Sequence, residues 1–171
     1  MRKRIIIIFI LSLCLLSCQS KNEKKSLKKP GIDEMTELNR YFVQKDKERI
    51  QNYIERKSLV MTESPTGLWY NIEKEGSGNF LTDNDKLLME YECSLLDGTH
   101  CYSSKDLGPR EIIIGRSQLE PGLNEGLRRL KRGGAAAFII PPFLAYGLVG
   151  DGKKIPPRST IIYNVSILET E

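Results

Sequence analysis

Hydrophobic and polar positions change rhythm several times along this chain. Positions 5–16, IIIIFILSLCLL, are an almost unbroken apolar run behind Arg2-Lys3-Arg4. From 19 to 31 large apolar residues nearly vanish and lysines dominate, closed by Pro30-Gly31. Apolar patches at Met35, Leu38, Tyr41, Phe42 and Val43, and again at Ile50, Tyr53 and Ile54, predict a helix over 32–58. Asp33 can cap it, with Glu34 and Glu37 in its first turn. Beyond Ser64-Pro65-Thr66-Gly67 the pattern becomes that of short strands joined by turns, so 64–171 reads as a folded domain.

In that domain 68–72 is the first strand, followed by a loop containing Gly76 and Gly78. Segments 87–95 and 99–103 form a hairpin about Asp97-Gly98, 111–114 is short and apolar, and 135–140 stops at Pro141. Segment 160–168 alternates cleanly, with Ile161, Tyr163, Val165 and Ile167 on one side. One helix interrupts the strands. Pro121 suits its first turn, Leu123, Leu127 and Leu130 give it one buried face, and Gly133-Gly134 ends it. An antiparallel sheet wrapped on one short helix, preceded by an N-terminal helix, is an α+β fold.

The charged middle of the N-terminal helix, 45–49, rules out a sustained coiled coil. It leaves a helix packed on the domain at its two ends, or an arm through which two copies pair. The tether at 19–31 reads as a flexible polar linker.

The apolar run behind the basic start has the form of a secretion signal over 1–17 and is too short for the roughly 20 residues that span a bilayer. Leu15-Leu16-Ser17-Cys18 resembles a bacterial lipobox, which implies that Cys18 becomes the acylated first residue of a lipoprotein in the cell envelope, facing the periplasm. Multiple acyl chains, each methylene worth about 0.8 kcal/mol, anchor such a protein to a membrane. Cys93 and Cys101 then remain as an even pair in a compartment that permits disulfides. A two-residue turn at Asp97-Gly98 puts them on opposite faces of the hairpin; a three-residue loop sets them opposite each other. Both registers stay open.

With 171 residues there is room for one domain and an appendage. The net charge of +4 does not mark a nucleic-acid protein, because its excess sits in the signal and in Lys21, Lys24, Lys25, Lys28 and Lys29 of the tether. The single histidine, His100, with Cys93 and Cys101 would lack a fourth ligand and has no standard zinc spacing, so no metal or other cofactor is expected.

Tyr91, Asp97-Gly98, Ser103-Ser104, Pro121-Gly122, Glu125-Gly126, Gly133, Pro142, Ala145-Tyr146-Gly147 and Ile155-Pro156-Pro157 follow one another in an order and spacing that resemble the FKBP-type peptidyl-prolyl isomerases. The resemblance covers about 87–168, with a looser lead-in from 68. It implies a prolyl pocket lined by Tyr91, Leu119, Leu123, Tyr146, Ile155 and Tyr163, partly refilled by Tyr102 and Cys101. It also implies that the Tyr146 hydroxyl and the Glu120 backbone amide donate to a substrate carbonyl. Proline-containing unfolded or envelope proteins are the implied partners.

Several positions depart from the family pattern. Cys101-Tyr102 stands where Phe-Asp is usual, Leu123 replaces a tryptophan, and Arg110 and Asp151 replace aromatic or histidine walls. Glu120 is a carboxylate where the family has an aliphatic side chain. Two readings follow: an isomerase, or a binding module that kept the fold and lost most of the catalysis. The order of lipobox, helix and domain resembles the gliding-motility-associated lipoproteins of this family, which gives the second substance, while the retained Tyr91, Tyr146, Ile155 and Tyr163 favour the first.

Overall fold

The computed structural model describes residues 31–168. The apolar run, the lipobox-like motif, Cys18 and most of the tether lie outside the described residues. The described residues from Thr36 onward belong to one compact unit.

Strands β1 (Thr62–Glu63), β2 (Trp69–Lys74), β3 (Ser77–Phe80), β4 (Lys86–Leu95), β5 (His100–Ser103), β6 (Arg110–Ile113), β7 (Lys131–Arg132), β8 (Ala135–Ile140) and β9 (Ile161–Ile167) are joined by helices α1 (Ile32–Lys57), α2 (Ser104–Leu107) and α3 (Pro121–Leu127). The main sheet runs β1-β2-β8-β9-β4-β5, with β6 also on β4, and every pairing is antiparallel. β9 lies between β8 and β4 and shows why the alternation was legible: Ile161, Tyr163, Val165 and Ile167 are all buried, while the residues between them are not.

Helix α3 lies flush on β8. A Cβ on Gly126 would stand 2.7 Å from the Phe138 ring, and one on Gly122 would stand 2.5 Å from Ile140. Leu123, Leu127 and Leu130 are buried with Phe138 in the core between helix and sheet. Burying one such side chain contributes roughly 1.5–3 kcal/mol. The helix is shorter than the sequence suggests. It ends at Leu127, and the Leu130 amide reaches back to the Leu127 carbonyl, because Lys131 and Arg132 are drawn off to pair with β3. β3 is the segment read from sequence as a plain glycine loop.

Helix α1 is docked through its middle, not at its two ends. Ile50 is buried, and so is Asp46, which accepts from the Arg158 guanidinium at 3.2 and 3.3 Å. That guanidinium also lies over the Phe42 ring, 3.5 Å from its centroid. The charged stretch 45–49, expected to lie between two packed ends, therefore holds the contact itself, because the Asp46 carboxylate has a distant cation to meet. Leu38, Tyr41 and Val43 remain exposed.

The β4–β5 hairpin combines the two registers left open. The Leu95 amide donates to Thr99 O at 2.9 Å, as a three-residue loop requires. The register then slips, pairing Ser94 with His100 and Cys93 with Tyr102, so Cys101 has no opposite residue on β4. Both thiols are free and buried.

Candidate active site

Five parts of the fold bring the expected residues together. Tyr146 follows a single 3-10 turn, Pro142–Leu144, and is fixed by Gly147, whose φ of 60° lets its amide return to Pro142 O at 2.8 Å. Glu120 immediately precedes α3, in an extended conformation (φ −57°, ψ 135°) with Pro121 next. Tyr163 comes from the middle of β9, opposite Cys93 of β4, and Tyr91 stands two residues earlier on β4. Ile155 is delivered by the flap at 150–157, where Asp151 Oδ1 accepts from the Ile155 amide at 2.8 Å.

The centre of this site is the Glu120 side chain. Only 6% of Glu120 is exposed. Its Oε1 accepts from the Tyr146 hydroxyl and, at 3.0 Å, from the Tyr163 hydroxyl. Its Oε2 is buried with no hydrogen-bond partner among the described residues. The Tyr91 ring leans on Tyr163, with centroids 6.1 Å apart. Ile155, Leu123 and Cys101 are fully enclosed beneath, while Leu119, Tyr91, Tyr102 and Tyr146 are partly buried against the same core. Burial, then the hydrogen bond to Glu120 and its negative charge, push the Tyr146 phenol far above its usual range. Burial and the Glu120 charge do the same to Tyr163. Both hydroxyls therefore remain protonated donors.

Around the rim the replaced wall residues hold one another. The Tyr102 hydroxyl donates to Asp151, and the Lys154 ammonium lies 5.2 Å from the Tyr102 ring centroid. Burial works against the Asp151 charge, but hydrogen bonds from Tyr102, Ile155 and Lys153 hold its carboxyl below the ordinary value. Arg110 donates to Gln118 O at 2.9 Å. His100 pairs with Asp106 at 3.0 Å on the hairpin side.

Of the nine residues singled out for catalysis or substrate binding, eight belong to or pack against the same core cluster, and the ninth, Glu120, meets Tyr146 and Tyr163 through its carboxylate. The structure differs from expectation in how two of them are used. The Tyr146 hydroxyl is not free but bound to Glu120, and Glu120, expected to offer only its backbone amide, places its carboxylate inside. That amide itself takes no acceptor among the described residues. The signal available in sequence was a carboxylate between Leu119 and the buried Leu123, in a stretch otherwise apolar on that side.

Such a site is suited to a reaction that makes and breaks no covalent bond. Rotation about an Xaa-Pro bond meets a barrier of about 18–20 kcal/mol from amide conjugation. Enclosing the imide in an apolar site with a few fixed donors favours its twisted form over the planar one.

A family profile described as FKBP-type peptidyl-prolyl cis-trans isomerase matches residues 78–168. The chain is 42% identical over 104 residues to a probable FKBP-type peptidyl-prolyl cis-trans isomerase FkpA of Neisseria meningitidis serogroup B, covering 61% of this chain and 38% of that protein. It is 33% identical over 127 residues to FkpA of Escherichia coli K12, covering 74% and 46% respectively. The chain therefore spans less than half the length of these curated relatives. Among solved structures, FkpA from Escherichia coli superposes with a TM-score of 0.64 at 29% identity, over 82% of this chain and 73% of that one. AtFKBP13 does so at 0.59 and 26%, over 66% and 99%. With the profile spanning β3 to the end of the sheet and the same fold in both structures, this chain belongs to the FKBP-type peptidyl-prolyl cis-trans isomerase family.

Proposed function

We propose that the protein is a peptidyl-prolyl cis-trans isomerase that assists the folding of secreted or envelope proteins while anchored to the membrane through lipidated Cys18. The observation that carries the catalytic part is the meeting of the Tyr146 and Tyr163 hydroxyls at the side chain of Glu120, a buried residue whose amide has no acceptor among the described residues. The relatives named as isomerases support the same activity. In this reading the substrate carbonyl displaces the Glu120 carboxylate from Tyr146 and accepts from Tyr146 O–H and Glu120 N–H. The proline ring enters over Leu123 and Ile155, and Tyr91 and Tyr163 exclude water.

The anchoring and the periplasmic location rest on the basic start, the apolar run and the Leu15–Cys18 motif. Exposed Leu38, Tyr41 and Val43 on α1 are the surface through which two copies would pair.

The test is magnetisation-exchange NMR of short Xaa-Pro peptides with the full chain and its Tyr146→Ala variant. Faster cis–trans exchange with the wild type and not with the variant is the expected result. A folded wild type that leaves the rate unchanged would refute the isomerase. One observation favours the alternative, a client-binding module with little catalysis: the donor needed for the reaction is already engaged by an internal carboxylate. Suppressed aggregation of a proline-free client, undiminished by Tyr146→Ala, is its signature.

A further inference from the structure

The Glu120 carboxylate stands in the acceptor position that the proposed reaction needs for its substrate. It takes two hydroxyl donors on Oε1, yet Oε2 is buried and has no donor among the described residues. A buried acceptor without a donor has lost its water and gained nothing in exchange, and the cost is larger for a charged group. No cation of the described chain relieves it. Arg110, at the rim, is held by the Gln118 carbonyl, and Lys154 lies over Tyr102. Charge-assisted hydrogen bonds are roughly twice as strong as neutral ones, so a neutral substrate carbonyl competes poorly with Glu120 for the Tyr146 hydroxyl.

The geometry points to Glu120 as the specificity-determining residue of this site, selecting proline segments with a lysine or arginine immediately beside the proline. This rests on the isomerase reading above. An incoming ammonium or guanidinium gives Oε2 the donor it lacks and draws the carboxylate off Tyr146, which frees the hydroxyl for the substrate carbonyl. In the isomerase reading the substrate backbone accepts from Glu120 N–H, so the side chains that come within reach of the Glu120 carboxylate are those of the residues flanking the proline. An acidic flanking residue meets the opposite field and leaves the internal hydrogen bond in place. A purely apolar segment pays for displacing Glu120 and receives nothing in return.

The experiment compares three otherwise identical peptides, Lys-Pro, Ala-Pro and Glu-Pro, by exchange NMR at low and moderate salt. The proteins are the full wild-type chain, Glu120→Gln and Glu120→Ile, each checked for folding by circular dichroism. Glu120→Gln keeps shape and an acceptor for the tyrosines, so it guards against a variant that fails for packing reasons. For the wild type, Lys-Pro should exceed Glu-Pro in kcat/KM by tenfold or more, with the ratio shrinking as salt rises. The ratio should fall to within about twofold in both variants, and Ala-Pro should turn over faster with Glu120→Ile than with the wild type. Catalysis with the same ratio in all three proteins would overturn the assignment while leaving the isomerase intact. No catalysis of any peptide by any of the three folded proteins would remove the isomerase and this inference together.

Discussion

Arg158→Ala is the perturbation whose magnitude the structure constrains best. Arg158 sits at a φ of 57° in the loop after the flap, and its amide donates to Gly147 O at 2.9 Å, next to Tyr146. Its side chain crosses to α1, where the Asp46 side chain is only 4% exposed while that of Arg158 is 26% exposed. Truncating one partner of a buried pair costs about 3–5 kcal/mol because a bare charge is left behind. Solvent screening on the arginine side and the nearby Arg49 charge reduce that, giving about 2–4 kcal/mol for Arg158→Ala. Asp46→Ala strands the more exposed partner, which can turn to water, so about 1–2 kcal/mol is expected. The double variant should fall short of the sum by about 1–2 kcal/mol.

The sign with pH follows from the same pair. Burial raises the Asp46 pKa, and Arg158 opposes that only in part. A carboxyl whose pKa is higher folded than unfolded binds its proton more readily in the native state. Its contribution is present at low pH and lost as pH rises through the native value. Arg158→Ala removes the main opposing charge and raises that pKa further, so the variant's cost should grow as pH rises from the acidic range, where the carboxyl is protonated, toward neutrality. Urea unfolding followed by the fluorescence of Trp69, the single tryptophan, measures both effects. Equal costs for Arg158→Ala and Asp46→Ala, with no growth toward neutral pH, would refute the account of Asp46 as a buried charge.

Two further predictions concern the core beneath the site. Gly126→Ala sets a methyl 2.7–3.0 Å from the Phe138 ring, a clash that should cost about 1–3 kcal/mol in urea unfolding; an unchanged midpoint would show that α3 is not seated on β8 as described. Burial first, and the neighbouring Cys101 second, push the Cys93 thiol up to about 12. Peptide mapping after iodoacetamide treatment at mildly alkaline pH should therefore find Cys93 unmodified in the native chain and modified in urea; labelling at equal rates in both would contradict its burial.

How much of this was legible in the sequence depended on whether a residue's partner lay in its own local pattern. The alternation of β9 and the leucine spacing of α3 declare their buried faces directly. The pairing of Lys131-Arg132 with Ser77–Phe80 does not, because a basic doublet and a Gly-Ser stretch carry no apolar alternation. The middle of α1 misled for a related reason: Asp46 reads as solvent-facing until Arg158, 112 residues away, is placed against it. The resemblance named residues that share one core cluster, but it gave no sign of the direction of the Glu120 side chain, since the two hydroxyls that donate to it come from β9 and from the loop after β8.

That direction was nevertheless fixed by backbone features already in the chain. Pro121 at the first helical position holds Glu120 extended, and Gly122 and Gly126 let α3 press directly on Ile140 and Phe138. With α3 pinned to the sheet and φ and ψ set at 120, the side chain there must point into the enclosure whatever its chemistry. An aliphatic residue in that place would only add to the apolar lining. A carboxylate must instead be answered by donors, and Tyr146 and Tyr163 supply them at the expense of the hydroxyl the reaction would use. Position 120 can therefore change what the site accepts without moving any element of the fold, because its backbone is held by proline and glycine contacts rather than by its own side chain.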